Sequence, residues 1–282
     1  MNMKKLLKNN GLQSLLASLM CILVGLLVGY IALLVINAEG AGKAIMTIIK
    51  NFFYYPSKPA QLKYLGNTLV KTAPLLMCSL SVLFANKAGL FNIGAAGQYV
   101  VGAGACLYMA LALNMPWWAC LLGAIIAGAL LGAIAAGALL GALSGFLKTK
   151  FNVNEVISCI MFNWISLYCV NMLLTNVKES TSPYTEHVSK INPAALLPSL
   201  GLGKFFSKNQ YVTIAIPLAI LVSVAIWVLL EKTKLGYELK ATGNNKNAAK
   251  YAGMKENRNI ILTMAIAGGL AGMGAALLYL TG

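Results

Sequence analysis

Three side-chain amides stand in apolar surroundings where an amide must be put to use. Asn92 and Gln98 belong to the interval Lys87 to Gln98, K-A-G-L-F-N-I-G-A-A-G-Q, set inside a region (65–113) that is otherwise hydrocarbon-like. Asn163 lies about two turns inside another apolar run, with Asn171 eight residues further on. An amide carries an acceptor and two donor hydrogens without net charge, so it suits a neutral polar solute or a freed backbone group. In a bilayer, interrupted helix is tolerated only where protein or a water-filled cavity covers it. Gly89, Gly94 and Gly97 permit unusual backbone angles and close approach. Two readings follow for the interval. Either a helix breaks beside a substrate pathway, or Lys87 to Gly89 is a cytoplasmic turn with Gly94 and Gly97 as packing notches. For Asn163 and Asn171 the choice is a polar pathway or interhelical hydrogen bonds.

Catalytic chemistry finds no footing. The chain has no Asp, seven Glu and one His, His187, which has no triad partner nearby and falls in an outer loop. There is no phosphate-binding glycine loop, so the chain is not expected to hydrolyse ATP itself. The six Cys lie in or beside apolar runs without the spacing of a zinc site or a disulfide framework. No metal and no cofactor is expected. A proton-coupled carrier usually keeps an ionisable group at mid-membrane depth, whereas here Glu155 stands at a helix end and Lys71 near an interface. An external energy source is implied.

The elements that position these residues are membrane helices. The chain has 282 residues, 59% hydrophobic and 10% charged, against about 25% charged in an ordinary soluble domain. Runs near the ~20 residues that cross a bilayer give an all-α polytopic bundle in a single transmembrane domain, 1–282. Seven spans are expected, at Leu15–Ile36, Leu65–Phe84, Val100–Leu113, Trp117–Leu147, Glu155–Leu174, Tyr211–Leu230 and Ile260–Leu280. The first is too long for a signal-peptide core and is read as retained. Ala44 to Phe53 reads as an interfacial helix or as an ordinary loop helix. Pro74 is a candidate kink in the second span. The fourth is loaded with Gly128, Gly132, Gly137, Gly141 and Gly145, a ridge for close packing in the middle of the bundle or at a subunit contact. Asn152 or Asn154 is a candidate cap for the fifth, with Glu155 at the positive end of its dipole.

Charge sets the expected orientation. Thirteen basic residues fall in segments on the N-terminal side of the membrane and eight on the other, with Lys71 inside a span, which favours a cytoplasmic N-terminus. The formal charge of +15 is therefore read as topology, and no nucleic acid is expected, since no loop interleaves aromatic and basic residues. Residues 175–210 form the extracytoplasmic loop and 231–259 the most basic cytoplasmic one.

Within that basic loop, Asn247, Ala248, Ala249, Lys250, Tyr251, Ala252 and Gly253 predict a short helix with a flat face and a glycine stop, suited to docking into another protein or serving as a solvated connector. The run is similar to the E-A-A-x-x-x-G loop of bacterial ABC importer permeases, with Asn in place of Glu. Together with Gly89 to Gln98, Phe151 to Ile157 (F-N-V-N-E-V-I) and Leu235 to Met254, it resembles the permease subunits of nucleoside and simple-sugar ABC importers. The resemblance implies a permease half in the bacterial plasma membrane. A second related permease would complete it. A cytoplasmic ATPase with two fused nucleotide-binding domains would dock on Gly236 to Gly253. A lipid-anchored binding protein would deliver substrate to the outer loops. Nucleosides are the expected cargo and simple sugars the runner-up, with Asn92, Gln98 and Asn163 as the expected pathway residues. A non-transporting membrane scaffold is the alternative of a different class. Members of that family usually continue for several dozen residues past the position of Gly282, so the last family spans are expected to be missing.

Overall fold

The computed structural model describes residues 10–50, 55, 57–135, 155–175, 177 and 188–281. The expectations for Gly137, Gly141, Gly145, Asn152, Asn154 and His187 lie outside these residues. Contacts divide the chain into two compact units, 1–61 and 62–282.

In the first unit, α1 (Asn10–Ile36) is apolar on all sides. None of its residues from Leu15 to Ile36 is buried, as suits a helix whose solvent is lipid. Asn37 then accepts a hydrogen bond from the Gly40 N–H at 3.0 Å and caps α2 (Ala38–Lys50). The helix expected from Ala44 therefore begins six residues earlier than the sequence suggested. Met46, Ile48 and Ile49 are exposed on it.

The second unit is a helical bundle, with no strand among the described residues. Its long helices are α3 (Lys58–Lys87), α4 (Ala95–Leu111), α5 (Trp117–Ala135), α6 (Glu155–Thr175), α8 (Ala215–Lys232) and α11 (Glu256–Tyr279). Every expected span has a helix over its described residues, the fourth as far as Ala135. Among the described residues four helices, including α1, are long and apolar enough to cross a membrane by length and composition, and three shorter apolar helices accompany them. The helix α3 starts seven residues before the expected span and runs through Pro74 without interruption.

The centre of the bundle is α11, which the sequence did not single out. Of its apolar window 72% is buried, against 33% for α3 and 22% for α8. Glycines make this possible, because association in lipid depends on close packing. Gly272 lies against the Ala124 carbonyl of α5 and against Gly102 of α4, where an added Cβ would fall 2.5 Å from the Gly272 Cα. Gly128 of α5 abuts the Gly268 carbonyl, and Gly274 meets Pro74, Met77 and Cys78 of α3. Gly128, the first residue of the glycine ridge read on the fourth span, is thus half of a contact whose other half is on α11.

Helix ends sort into two groups. At one end, α7 (Val188–Ile191), two 3₁₀ turns (Pro193–Ala195 and Leu202–Phe206) and their connections fold over the helix termini. Asn192 donates to the carbonyls of Ala110 and Met115, both at 3.0 Å. Asn209 donates to the Lys63 carbonyl at 3.0 Å and to Asn67 at 2.8 Å, and the Leu197 N–H reaches the Leu280 carbonyl at 2.9 Å. The described part of the 175–210 segment is a packed cap rather than a free loop. At the other end lie the α3–α4 connection, α9 (Lys234–Asn244), α10 (Lys246–Tyr251) and the start of α11.

Replacing Gly272 by Leu drives a side chain into the Ala124 backbone, where overpacking costs about 1–3 kcal/mol or more. Most of the monodisperse protein should be lost after detergent extraction. Gly25→Leu, with no atom within 4 Å of an added Cβ, should leave the yield unchanged. Size-exclusion chromatography of the two variants checks this, and equal yields would contradict the packing at α11.

Candidate functional site

The polar interval is the connection between α3 and α4, at the end of the bundle that also holds α9 and α10. The chain leaves α3 at Lys87, passes through Gly89 with φ +71° and re-enters helix at Ala95. A left-handed φ at that position favours glycine. The first turn of a helix presents N–H groups without intrahelical partners, and Gly94 at the start of α4 has no side chain to cap them. Asn163 supplies the cap from α6. Its Oδ1 accepts from the Gly97 N–H at 2.8 Å and its Nδ2 donates to the Ile93 carbonyl at 3.0 Å. A Cβ on Gly97 would fall 2.7 Å from Asn163 Oδ1 and 3.2 Å from Ser166 Oγ, so glycine is what lets α6 come within bonding distance. Seven residues on in both helices, Gly104 meets Val170, so α4 and α6 run parallel in register.

Asn92 and Gln98 form a second polar cluster beside the first. Asn92 Nδ2 donates to Gln98 Oε1 at 2.8 Å and to Ser81 Oγ at 3.3 Å, and Gln98 Nε2 returns a bond to Asn92 Oδ1 at 3.2 Å. Ser81 and Gln98 are fully buried, and Asn92 is 4% exposed. The three expected pathway residues are therefore brought together around the interruption, but each amide is engaged by the protein itself. The hydrogen bonds join α3, α4 and α6 at one place. Asn171, by contrast, has its side chain exposed.

The expected docking segment is a helical hairpin. Thr233 caps α9 by accepting from the Gly236 N–H at 3.1 Å, and Gly236 lies against the Leu229 and Leu230 carbonyls, so the turn out of α8 is tight. Asn245 caps α10 by accepting from the Ala248 N–H at 3.0 Å. Asn247 and Ala248 are exposed, Ala249 is buried, and Tyr251 is 93% exposed between the exposed Lys250 and Ala252. The glycine stop has a definite form. The Gly253 N–H reaches the Lys250 carbonyl and the Met254 N–H the Ala249 carbonyl, both at 3.0 Å, with Gly253 at φ +79°. This is the paired closure that only a left-handed residue completes.

Two adjacent residues tie this hairpin to the rest. Thr242 Oγ1 accepts from Asn259 Nδ2 of α11 at 2.9 Å. Gly243 packs directly on the Ala88–Gly89 backbone, where a Cβ on Gly89 would fall 2.6 Å from the Gly243 Cα. The segment that presents Tyr251 is thus in backbone contact with the interruption that holds Asn92. That contact was not legible in the sequence; both glycines were visible, but nothing in their spacing paired them.

Asn163→Leu leaves the Gly97 N–H and the Ile93 carbonyl without partners, each destabilising by about 1–3 kcal/mol. The variant should show a clearly lower melting temperature in detergent than the parent, with Asn163→Asp, which keeps an acceptor for Gly97, in between. Unchanged melting of Asn163→Leu would show that the cap contributes nothing.

The profile of a family described as "Branched-chain amino acid transport system / permease component" matches residues 64–282, close to the bounds of the second unit. The chain is 33% identical over 266 residues to the guanosine ABC transporter permease protein NupP of Bacillus subtilis (strain 168), covering 94% of this chain and 72% of that protein. It is 30% identical over 269 residues to the nucleoside ABC transporter permease protein NupB of Lactococcus lactis subsp. cremoris (strain MG1363), covering 94% and 71%. It is also 30% identical over 218 residues to the glucose ABC transporter permease protein TsgB13 of Haloferax volcanii, covering 74% and 55%. No solved structure matches it. With its bundle of membrane helices, the chain belongs to the permease-component family of branched-chain amino acid transport systems, and is a multi-pass membrane transport subunit rather than an enzyme.

Proposed function

We propose that this chain is the permease subunit of an ABC importer that carries nucleosides into the cell across a bacterial plasma membrane. The observation that carries the cargo is the pair of relatives, named for guanosine and for nucleosides, that align with 94% of the chain. A simple sugar is the second reading, favoured by the glucose permease among the relatives. A second, related permease completes the pore, and a separate cytoplasmic ATPase with two fused nucleotide-binding domains drives it.

The 231–259 segment is the ATPase-docking element, with Gly236, Asn247, Ala248, Ala249, Tyr251 and Gly253 shaping it. The described geometry supports this. The helix α10 is pinned at both ends by Asn245 and Gly253 and offers a nearly fully exposed Tyr251 as an anchor, one of the residue types enriched at the energetic centre of interfaces. Displacement of the hairpin reaches the interruption through Gly243 and Gly89, and α11 through Thr242 and Asn259. The pathway runs beside the interruption, where Asn92, Gln98 of α4 and Asn163 of α6 gather. The cap formed by residues 188–214, at the opposite end of the bundle, receives substrate from a lipid-anchored binding protein.

Uptake of labelled nucleoside and labelled ribose, in cells with and without this subunit, tests the cargo. Nucleoside uptake that requires the subunit is expected. Ribose uptake alone would move the importer to the sugar reading, and dependence for neither would leave the scaffold reading. Tyr251→Glu should abolish copurification of the ATPase while leaving membrane abundance unchanged, because the side chain touches little of its own protein. Retained copurification would count against docking at α10.

A further inference from the structure

The side chains of the interruption are engaged internally, so direct substrate contact must lie elsewhere, and α6 carries the strongest candidate. It has 21 residues, about 31 Å at 1.5 Å per residue, which matches a ~30 Å hydrocarbon core. Trp164 is nine residues from its start and Tyr168 seven from its end, so both rings sit more than about 10 Å from either helix end. That is not where Trp and Tyr usually meet lipid; they gather in belts at the two interfaces, with the polar end in the headgroups. Yet Trp164 is 58% exposed and Tyr168 67%. Their rings stack on each other with centroids 6.2 Å apart and planes inclined by 27°.

A third polar group shares the face. Asn171 follows Tyr168 by three residues and Trp164 by seven, the spacing that aligns side chains along one side of a helix. It is exposed, and its side-chain amide and the Tyr168 hydroxyl make no hydrogen bond among the described residues. Polar side chains inside a membrane face a bundle interior or a water-filled cavity rather than acyl chains. Asn163, one residue before Trp164, is bound to the start of α4. The aromatic face is therefore anchored to the interruption through the same helix.

We propose that Trp164, Tyr168 and Asn171 form a substrate-contacting face in the transport pathway, on which the base of a nucleoside stacks against the aromatic pair while Asn171 and the Tyr168 hydroxyl hydrogen-bond its polar edge or its ribose. A base offers a flat π-surface with donors and acceptors at its rim, and stacking on aromatic side chains tolerates every base. Transporter sites of this depth lie near the bilayer midplane, which is where the pair stands. The face sorts nucleosides from free sugars, since the saturated ring of a ribose offers no flat π-surface to stack. The inference rests on the nucleoside reading above.

The test is uptake by the complete transporter carrying Trp164→Ala, Tyr168→Ala, Trp164→Phe or Tyr168→Phe. Each Ala variant should raise the apparent KM for nucleoside on the order of tenfold or more, and the Phe variants should recover most of it. Copurification of the second permease and of the ATPase should be unchanged in all four. Wild-type KM in the Ala variants overturns the inference while leaving the nucleoside reading intact. Loss of the second permease from the Ala variants overturns it in favour of a subunit contact. A parent transporter that takes up no nucleoside removes the reading on which the inference rests, and the inference with it.

Discussion

A backbone amide shut away from water must find a partner in the protein, and the second unit meets that problem where α3 gives way to α4 at one end of the bundle. Between α3 and α4 the chain stops being helical, and the new helix starts with glycine where a capping side chain usually stands. Asn163 answers from a neighbouring helix, and the Asn92–Gln98 pair with Ser81 closes the remaining polar surface. Because the cap arrives from α6, the position of α6 is fixed relative to α4 by hydrogen bonds rather than by apolar packing alone. Directionless packing would tolerate sliding; a two-point amide bridge does not. This gives the interruption a definite geometry and makes it a place where helices can be moved together.

The second feature of the architecture is that the interruption touches the α9–α10 hairpin through bare backbone. Side-chain contacts yield by changing rotamer, whereas a Gly243–Gly89 approach has no such freedom. A rigid joint of that kind is what a lever needs. In the proposed importer, the hairpin is where force from nucleotide chemistry would enter, and Thr242 and Gly243 sit side by side to pass it to α11 and to the interruption. The Schellman closure at Gly253 and the side-chain caps at Thr233 and Asn245 keep the lever from fraying.

Much of this was legible in the sequence, for physical reasons that can be named. Apolar length gives spans, so each expected crossing has its helix. Glycine in a polar interval marks a break, and the A-A-x-x-x-G pattern gives the short helix and its stop. What the sequence hid was pairing. Asn163 was recognisable as an amide needing a partner, but that the partner is the Gly97 N–H follows only from the parallel register of α4 and α6. The glycines of α11 are as dense as those of α5, yet the sequence pattern marks only the fourth span as a ridge, while α11 holds the centre. Boundaries moved for the same reason. The capping of α2 by Asn37 and the extension of α3 to Lys58 are local hydrogen-bonding matters that a hydropathy pattern does not report.

The central claim is that the interruption is a hydrogen-bonded, ordered element held by α6. Hydrogen–deuterium exchange across residues 88–98 tests it most directly, measured on the membrane-embedded protein and on its Asn163→Leu variant. The account predicts slow exchange at the Gly97 amide in the parent, faster in the variant by on the order of tenfold for each ~1.4 kcal/mol the cap contributes, with the α11 amides unchanged. Rapid exchange at Gly97 in the parent, or no difference between the two proteins, would contradict it.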